Sequence, residues 1–472
     1  MVFSSVLFIF YFLPVFLIVY HSVHKAWRNY VILLFSLFFY AWGAPKFIFI
    51  ILFAIILTFY IVKALEHSEN EKKRKRLLAL GVFINLGLLA YFKYANFFIE
   101  NVNDIIKLFG GKPAKWVDVV LPIGISFYTF QSITYVLDVY RKVHTSLNKL
   151  SDYILYIMAF PQMIAGPIVR FNTIADQIVK REEKIDDKLL GFYRFSIGLA
   201  KKVLIANVMA SQADLIFSSD YSLLSTPNAW LGIIAYTFQI YFDFAGYSDM
   251  AIGLGRMIGF KFPENFDLPY TSKSITEFWR RWHITLGNFM KDYLYIPLGG
   301  NRVKKQRMYF NLWVVFLLSG LWHGASWSFV IWGAYHGLFL VLDKMFLLKV
   351  LKKMGGFLST ILTFLIVVVG WVFFRVEHIS SAFTYIGKMF SFNFAGDFYP
   401  QHAFIFMFFV AIIFAFFTII KKGEKIKDFF FNKETYTLKQ HYGLFALCLI
   451  LLFFSVSFLV SSDFNPFIYF RF

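Results

Sequence analysis

The sequence predicts an all-α, polytopic integral membrane protein, and three observations predict it. Hydrophobic residues make up 59% of the 472 and charged residues only 16%. Many apolar runs exceed the roughly 20 residues that a helix needs to span a bilayer. The basic residues behind the net charge of +19 fall between those runs rather than along a soluble face. They read as topology signals and not as a nucleic-acid surface.

In chain order, spans are expected near 2–20, 27–42, 45–64, 77–94, 120–140, 192–210, 230–254, 309–326, 327–342, 357–376, 402–420 and 442–461, about 11–12 transmembrane helices in all. The first is read as a retained span rather than a signal peptide, because no basic residue precedes His21. Twelve crossings put both termini on one side. Most of the 47 Lys and Arg, including the run Lys72-Lys73-Arg74-Lys75-Arg76, fall in the segments facing the other side. The positive-inside rule then makes both termini extracytoplasmic. With no internal repeat or soluble domain in view, residues 1–472 read as one membrane domain.

Between the fifth and sixth spans, Phe160-Pro161-Gln162-Met163-Ile164-Ala165-Gly166-Pro167 interrupts a run too short to cross. It reads as a re-entrant segment. Irregular backbone survives at that depth only where protein or a water-filled cavity shelters it, so Pro161, Gln162 and Gly166 are expected to line an internal tunnel.

The stretch 255–308 is too patterned for a connector, and its centre reads as a cytoplasmic amphipathic helix. Ser274-Ile275-Thr276-Glu277 fits a capping box. Phe278, Trp282, Leu286 and Phe289 then share one face, with Arg280, His283, Gly287 and Lys291 opposite. A basic face at the inner surface serves either to meet anionic lipid headgroups or to receive a phosphate-bearing donor, for which Arg280, Arg281 and Lys291 are the candidates.

His323 stands inside the apolar run 309–326, flanked by Gly320 and Gly324. An ionisable group at membrane depth is kept for chemistry, ion movement or a specific pairing. A neutral imidazole there takes a proton from a hydroxyl, or else bonds a neighbouring helix. Small residues beside it let helices or a tunnel approach closely. Asp243, in Tyr241-Phe242-Asp243-Phe244-Ala245-Gly246-Tyr247-Ser248-Asp249, is a further buried acid, read as lining the tunnel or pairing with a neighbour. No Gly-x-Ser-x-Gly elbow and no His-Glu-x-x-His spacing occurs, which argues against serine-hydrolase and zinc-protease chemistry. No metal site is expected. The lone cysteine, Cys448, lies in an apolar run and is expected to face lipid. The chain ends on an aromatic tail, 463–472, read as extracytoplasmic. It serves either as an interfacial belt or as a segment folding back into an outer opening.

Phe278-Trp279-Arg280-Arg281-Trp282-His283-Ile284-Thr285-Leu286, Leu321-Trp322-His323-Gly324, Phe160–Pro167 and Tyr241–Met250 together resemble the membrane-bound O-acyltransferase (MBOAT) family. The branch they resemble holds the bacterial membrane subunits of alginate and peptidoglycan O-acetylation, and the likeness covers nearly the whole chain in order. It implies a tunnelled fold with His323 as the catalytic residue and His283 as a second signature position. It also implies acetyl-CoA as donor substrate, no permanently bound cofactor, and a place in the bacterial cytoplasmic (inner) membrane. The implied partners are membrane lipid, a polysaccharide acceptor and an extracytoplasmic SGNH-type acetyltransferase or other accessory protein. In related wall-acylation systems a carboxy-terminal tyrosine motif carries the acyl group, and Tyr469 in Phe467-Ile468-Tyr469-Phe470 looks similar. The rival class is a transporter or flippase of a lipid-linked saccharide, with His323, Asp243 and Asp249 as a proton relay.

Overall fold

The computed structural model describes residues 2–395, 400–462 and 464–468. Among them every regular element is helical, and a helix is found at each of the twelve apolar runs. Five helices are long and apolar enough to cross a membrane by themselves: Ile48–Glu66, Glu71–Leu108, Gly356–Arg375, His402–Ile419 and Leu438–Ser461. The protein is a multi-pass membrane protein. Its contacts group into two compact units, Met1–Lys188 with Leu254–Pro263, and Leu189–Gly253 with Glu264–Phe472.

In the first unit, Asn70 caps the long helix Glu71–Leu108 by accepting from the amides of Lys72 at 2.9 Å and Lys73 at 3.2 Å, which satisfies donors that a helix start leaves open. Asn85, on the same helix, donates to Thr58 at 3.1 Å. The Pro-Gly segment breaks the helical run at Ala159, between Leu150–Met158 and the single turn Phe160–Met163. The amide of Phe160 donates instead to the buried Ser36 hydroxyl at 3.0 Å. The Phe160 ring lies among Phe3, Phe8, Phe12, Phe16 and Phe39. Gly124, at φ +77°, lets the backbone come so near that a Cβ there would lie 2.7 Å from the Met163 carbonyl.

Glycines set the helix crossings of the second unit. A Cβ on Gly198 would lie 2.6 Å from the Gly246 carbonyl, and one on Gly246 would lie 2.7 Å from the Gly198 carbonyl. Seven residues on, a Cβ on Gly253 would lie 2.6 Å from the Gly191 carbonyl. This is the close backbone approach that small residues permit between membrane helices. The same device joins Lys305–His323 to Trp327–Leu342, where a Cβ on Gly320 would meet the Phe329 carbonyl at 2.3 Å and one on Gly333 the Phe316 carbonyl at 2.4 Å.

Two expectations are corrected. The single amphipathic helix is two short ones, Ile275–Arg281 and Ile284–Met290, separated by Trp282 and His283. The apolar positions are buried as the periodicity requires, but His283 is also buried, at 1% exposure, and is not part of a basic surface. Cys448 does not face lipid. It is fully buried with Leu190, Tyr193 and Leu444.

Because the Gly198 and Gly246 backbones touch, Gly246→Ala must push two helices apart. Overpacking of this kind costs about 1–3 kcal/mol. Thermal unfolding of the purified variant should show that loss, whereas Gly443→Ala, where a Cβ meets nothing within 4 Å, should leave the midpoint unchanged.

Candidate active site

His323 is the last residue of the helix Lys305–His323. The glycine crossing at Gly320 holds that helix end against Trp327–Leu342, and Gly324 turns the chain away in an extended conformation, φ −162°. A Cβ on Gly324 would overlap the Phe329 ring. The imidazole is 7% exposed. Aromatic rings meet it edge-on, with Trp322 at 4.8 Å, Trp332 at 5.1 Å and Phe374 at 5.2 Å between centroids.

A small cavity opens beside His323, walled by Ile240, Phe244, Trp282, Trp332 and Trp371. Ile468 of the carboxy-terminal tail completes the lining, leaving room on the order of one water molecule. Within the described part of the tail, Phe467 and Ile468 are buried, at 5% and 3% exposure, and are not placed as an interfacial belt would be. Phe467 stacks on Tyr247 with centroids 4.6 Å apart. Tyr469 lies outside the described residues.

Asp243 does not stand open in a tunnel. Its carboxylate pairs with Lys202 at 2.9 Å and accepts the Ile468 amide at 2.8 Å. Asp249, two turns on, takes Arg194 at 2.7 Å and Lys201 at 2.6 Å. Pro161, Gln162 and Gly166 are buried in the first unit, where the Gln162 side-chain amide donates to the Tyr156 carbonyl.

His283 sits at the helix break with φ +45°. Asn265, 18 residues earlier in the chain, reaches in and bonds the residues at the break. Asn265 Oδ1 accepts from the Thr285 hydroxyl at 2.8 Å and from His283 Nδ1 at 3.0 Å, while its amide donates to Ser248 at 3.0 Å. With Nδ1 donating, Nε2 carries the lone pair, and it has no hydrogen-bond partner. Burial pushes the His283 pKa down from the ordinary 6.5 to about 3, because desolvation disfavours the charged ring. His283 is thus a neutral imidazole with an unused acceptor nitrogen. The Phe244 ring stands between the two histidine regions, edge-on to His283 at 4.7 Å and lining the His323 cavity.

The proposed phosphate ligands differ in availability. Arg280 and Lys291 are exposed, whereas Arg281 is drawn to Glu277 at 2.9 Å and Asp267 at 3.5 Å. Ser274 caps its helix by accepting from the Glu277 amide at 3.1 Å. The return leg of the box goes one residue earlier, to the Lys273 amide at 2.9 Å. Sequence reasoning missed Asn265, Lys202, Trp332 and Trp371. Asn265 sits in an irregular loop with no periodicity to mark it, and tryptophans in apolar helices carry no pattern that separates a cavity wall from ordinary packing.

A buried imidazole beside an aromatic-lined cavity, in a multi-pass membrane protein, marks the candidate active site. Residues 140–379 match the membrane-bound O-acyltransferase family. The chain is 45% identical to the probable alginate O-acetylase of Pseudomonas aeruginosa, over 83% of this chain and 75% of that one. It is 37% identical to the peptidoglycan O-acetyltransferase of Helicobacter pylori, over 83% and 80%. The teichoic acid D-alanyltransferase of Bacillus subtilis is 28% identical over 48% of this chain and 59% of that one. This chain belongs to the membrane-bound O-acyltransferase family, in the alginate and peptidoglycan O-acetylation branch, and is an O-acyltransferase.

The depressed His283 pKa carries a sign. The folded protein keeps the ring neutral down to about pH 3, while the unfolded chain takes up a proton below about 6.5. The stability this group contributes is complete above pH 6.5 and falls as the pH drops through that window. His283→Asn tolerates the left-handed backbone and does not titrate. Its destabilisation relative to wild type, measured by thermal unfolding, should shrink from pH 7 to pH 4.5; a constant difference would contradict a buried neutral imidazole.

Proposed function

We propose that the protein moves an acetyl group from cytoplasmic acetyl-CoA across the bacterial inner membrane, for O-acetylation of a cell-envelope polysaccharide. The observation that carries this reading is that the tail and His323 line the same cavity. The relatives named as alginate O-acetylase and peptidoglycan O-acetyltransferase supply the acceptor classes. Both termini lie on the extracytoplasmic face in this reading, so the tail enters from the outer side.

Acetyl-CoA docks with its phosphates at Arg280 and Lys291, with Arg281 holding the local backbone through Glu277 and Asp267. The unused Nε2 of His283 offers a hydrogen-bond acceptor on the donor side. In the chamber, His323 takes the proton of the Tyr469 hydroxyl as the phenolic oxygen attacks the thioester carbon. The C–S bond breaks, and the thiolate of CoA leaves with that proton. An O-acetyl tyrosine results, from which an extracytoplasmic SGNH-type transferase passes the group to a sugar hydroxyl. A chamber with so little free space suits a two-carbon acyl group. Asp243, Gly320 and Gly324 shape the site by holding the tail and the helix end.

General-base catalysis contributes about 10²–10⁴-fold, so His323→Ala should lower acetyl transfer by that factor while the protein remains inserted and folded. A Tyr469 peptide heavier by one acetyl group should be seen by mass spectrometry after incubation with acetyl-CoA. Tyr469→Phe should abolish both that peptide and the O-acetyl content of the envelope glycans; undiminished glycan acetylation in this variant rules the relay out.

A further inference from the structure

We infer that Lys202 and Asp243 are positioning residues, forming a clamp that docks the carboxy-terminal segment in the His323 cavity by gripping its backbone. Lys202 lies in the π-helical turn Lys201–Ala206 of the second unit, and Asp243 lies on the helix Thr226–Met257. Their side chains are each 2% exposed, and they pair at 2.9 Å.

A buried ion pair of this kind needs its remaining hydrogen-bonding capacity satisfied. Here the tail supplies one partner to each side of the pair. The Lys202 ammonium donates to the Asn207 side-chain oxygen at 2.8 Å and to the carbonyl of Pro466, while Asp243 Oδ1 faces it as an ion pair without accepting a hydrogen bond. The second carboxylate oxygen of Asp243 accepts the Ile468 amide at 2.8 Å. One ion pair therefore serves an acceptor and a donor two residues apart, much as a neighbouring strand would. Asn207 adds a bond to Asn465 at 3.2 Å.

This chemistry answers the difficulty the segment presents. Residues 464–467 form no helix, and non-helical backbone in an apolar interior needs partners from the protein. Charge-assisted hydrogen bonds are the strong kind. Because the grip is on backbone groups, the Ile468 side chain is left to line the cavity. The clamp deepens the transfer reaction proposed above and rests on it for what the segment carries.

The test uses full-length protein carrying Ile468→Cys, with the native buried Cys448 as an internal reporter of the fold. Removing either charge alone strands the other, so the decisive variant is Lys202→Met with Asp243→Asn, which removes both. With the clamp intact, a membrane-impermeant maleimide should label position 468 as slowly as Cys448. In the double variant, labelling of 468 should accelerate by at least about tenfold, as expected when one segment opens locally. Cys448 should stay protected, and acetyl transfer should fall. Continued protection of 468 in the double variant overturns the clamp. So does simultaneous exposure of both cysteines, which would assign the pair to the helix core. Tyr469→Phe should leave position 468 protected; if that variant also transfers acetyl groups normally, the relay fails and the clamp stands.

Discussion

In an apolar interior every peptide group outside a helix has to find its partner within the protein, and the architecture is organised around meeting that requirement at three places. Where the helix breaks at Ala159, the Ser36 hydroxyl takes up the freed Phe160 amide. Where it breaks at His283, Asn265 gathers Thr285, His283 and Ser248 into one network. Where the tail turns inward, the Lys202–Asp243 pair supplies both a donor and an acceptor. The last two stand in the unit that holds His323.

The chamber itself is apolar because its walls are aromatic. Close helix crossings make that wall continuous: Gly320 and Gly333 bring two helices into backbone contact, and this sets Trp332 edge-on against the imidazole at the helix end. Apolar walls strengthen electrostatic interactions, and in the proposed transfer they would limit the access of water to the acyl group. Burial likewise leaves His283 neutral, with an acceptor nitrogen that has no hydrogen-bond partner. Membership of the O-acyltransferase family accords with such a site, since moving an acyl group between carriers requires that water not intercept it.

Much of this was readable from sequence because it depends on local hydropathy. The apolar runs became helices, and His323 stood out as an ionisable residue in one of them. The apolar face Phe278, Trp282, Leu286 and Phe289 was read correctly, yet the helix breaks within it. The periodicity survives the break, and Asn265, which bonds the residues there, lies 18 residues before His283 in the chain. The tail's turn inward was one of two readings of the sequence, but its partners Lys202 and Asp243 were hidden, because they precede it by more than 200 residues. Hydropathy alone does not choose between a belt and a fold-back for Phe467 and Ile468, and the long-range Lys202–Asp243 pair is among the contacts that hold them inside. Cys448 shows the same limit on a smaller scale, since hydropathy alone does not distinguish a lipid-facing position from one packed on Tyr193.

The central claim is that an acyl group passes through the chamber while its carrier stays behind. Inverted membrane vesicles expose the cytoplasmic face and enclose the acceptor, so acetyl-CoA with separate labels on its acetyl and adenine portions tests this directly. The account predicts that the acetyl label accumulates inside as ester on polysaccharide while the adenine label remains outside. Entry of both labels together, or retention of the acetyl label outside, would contradict it.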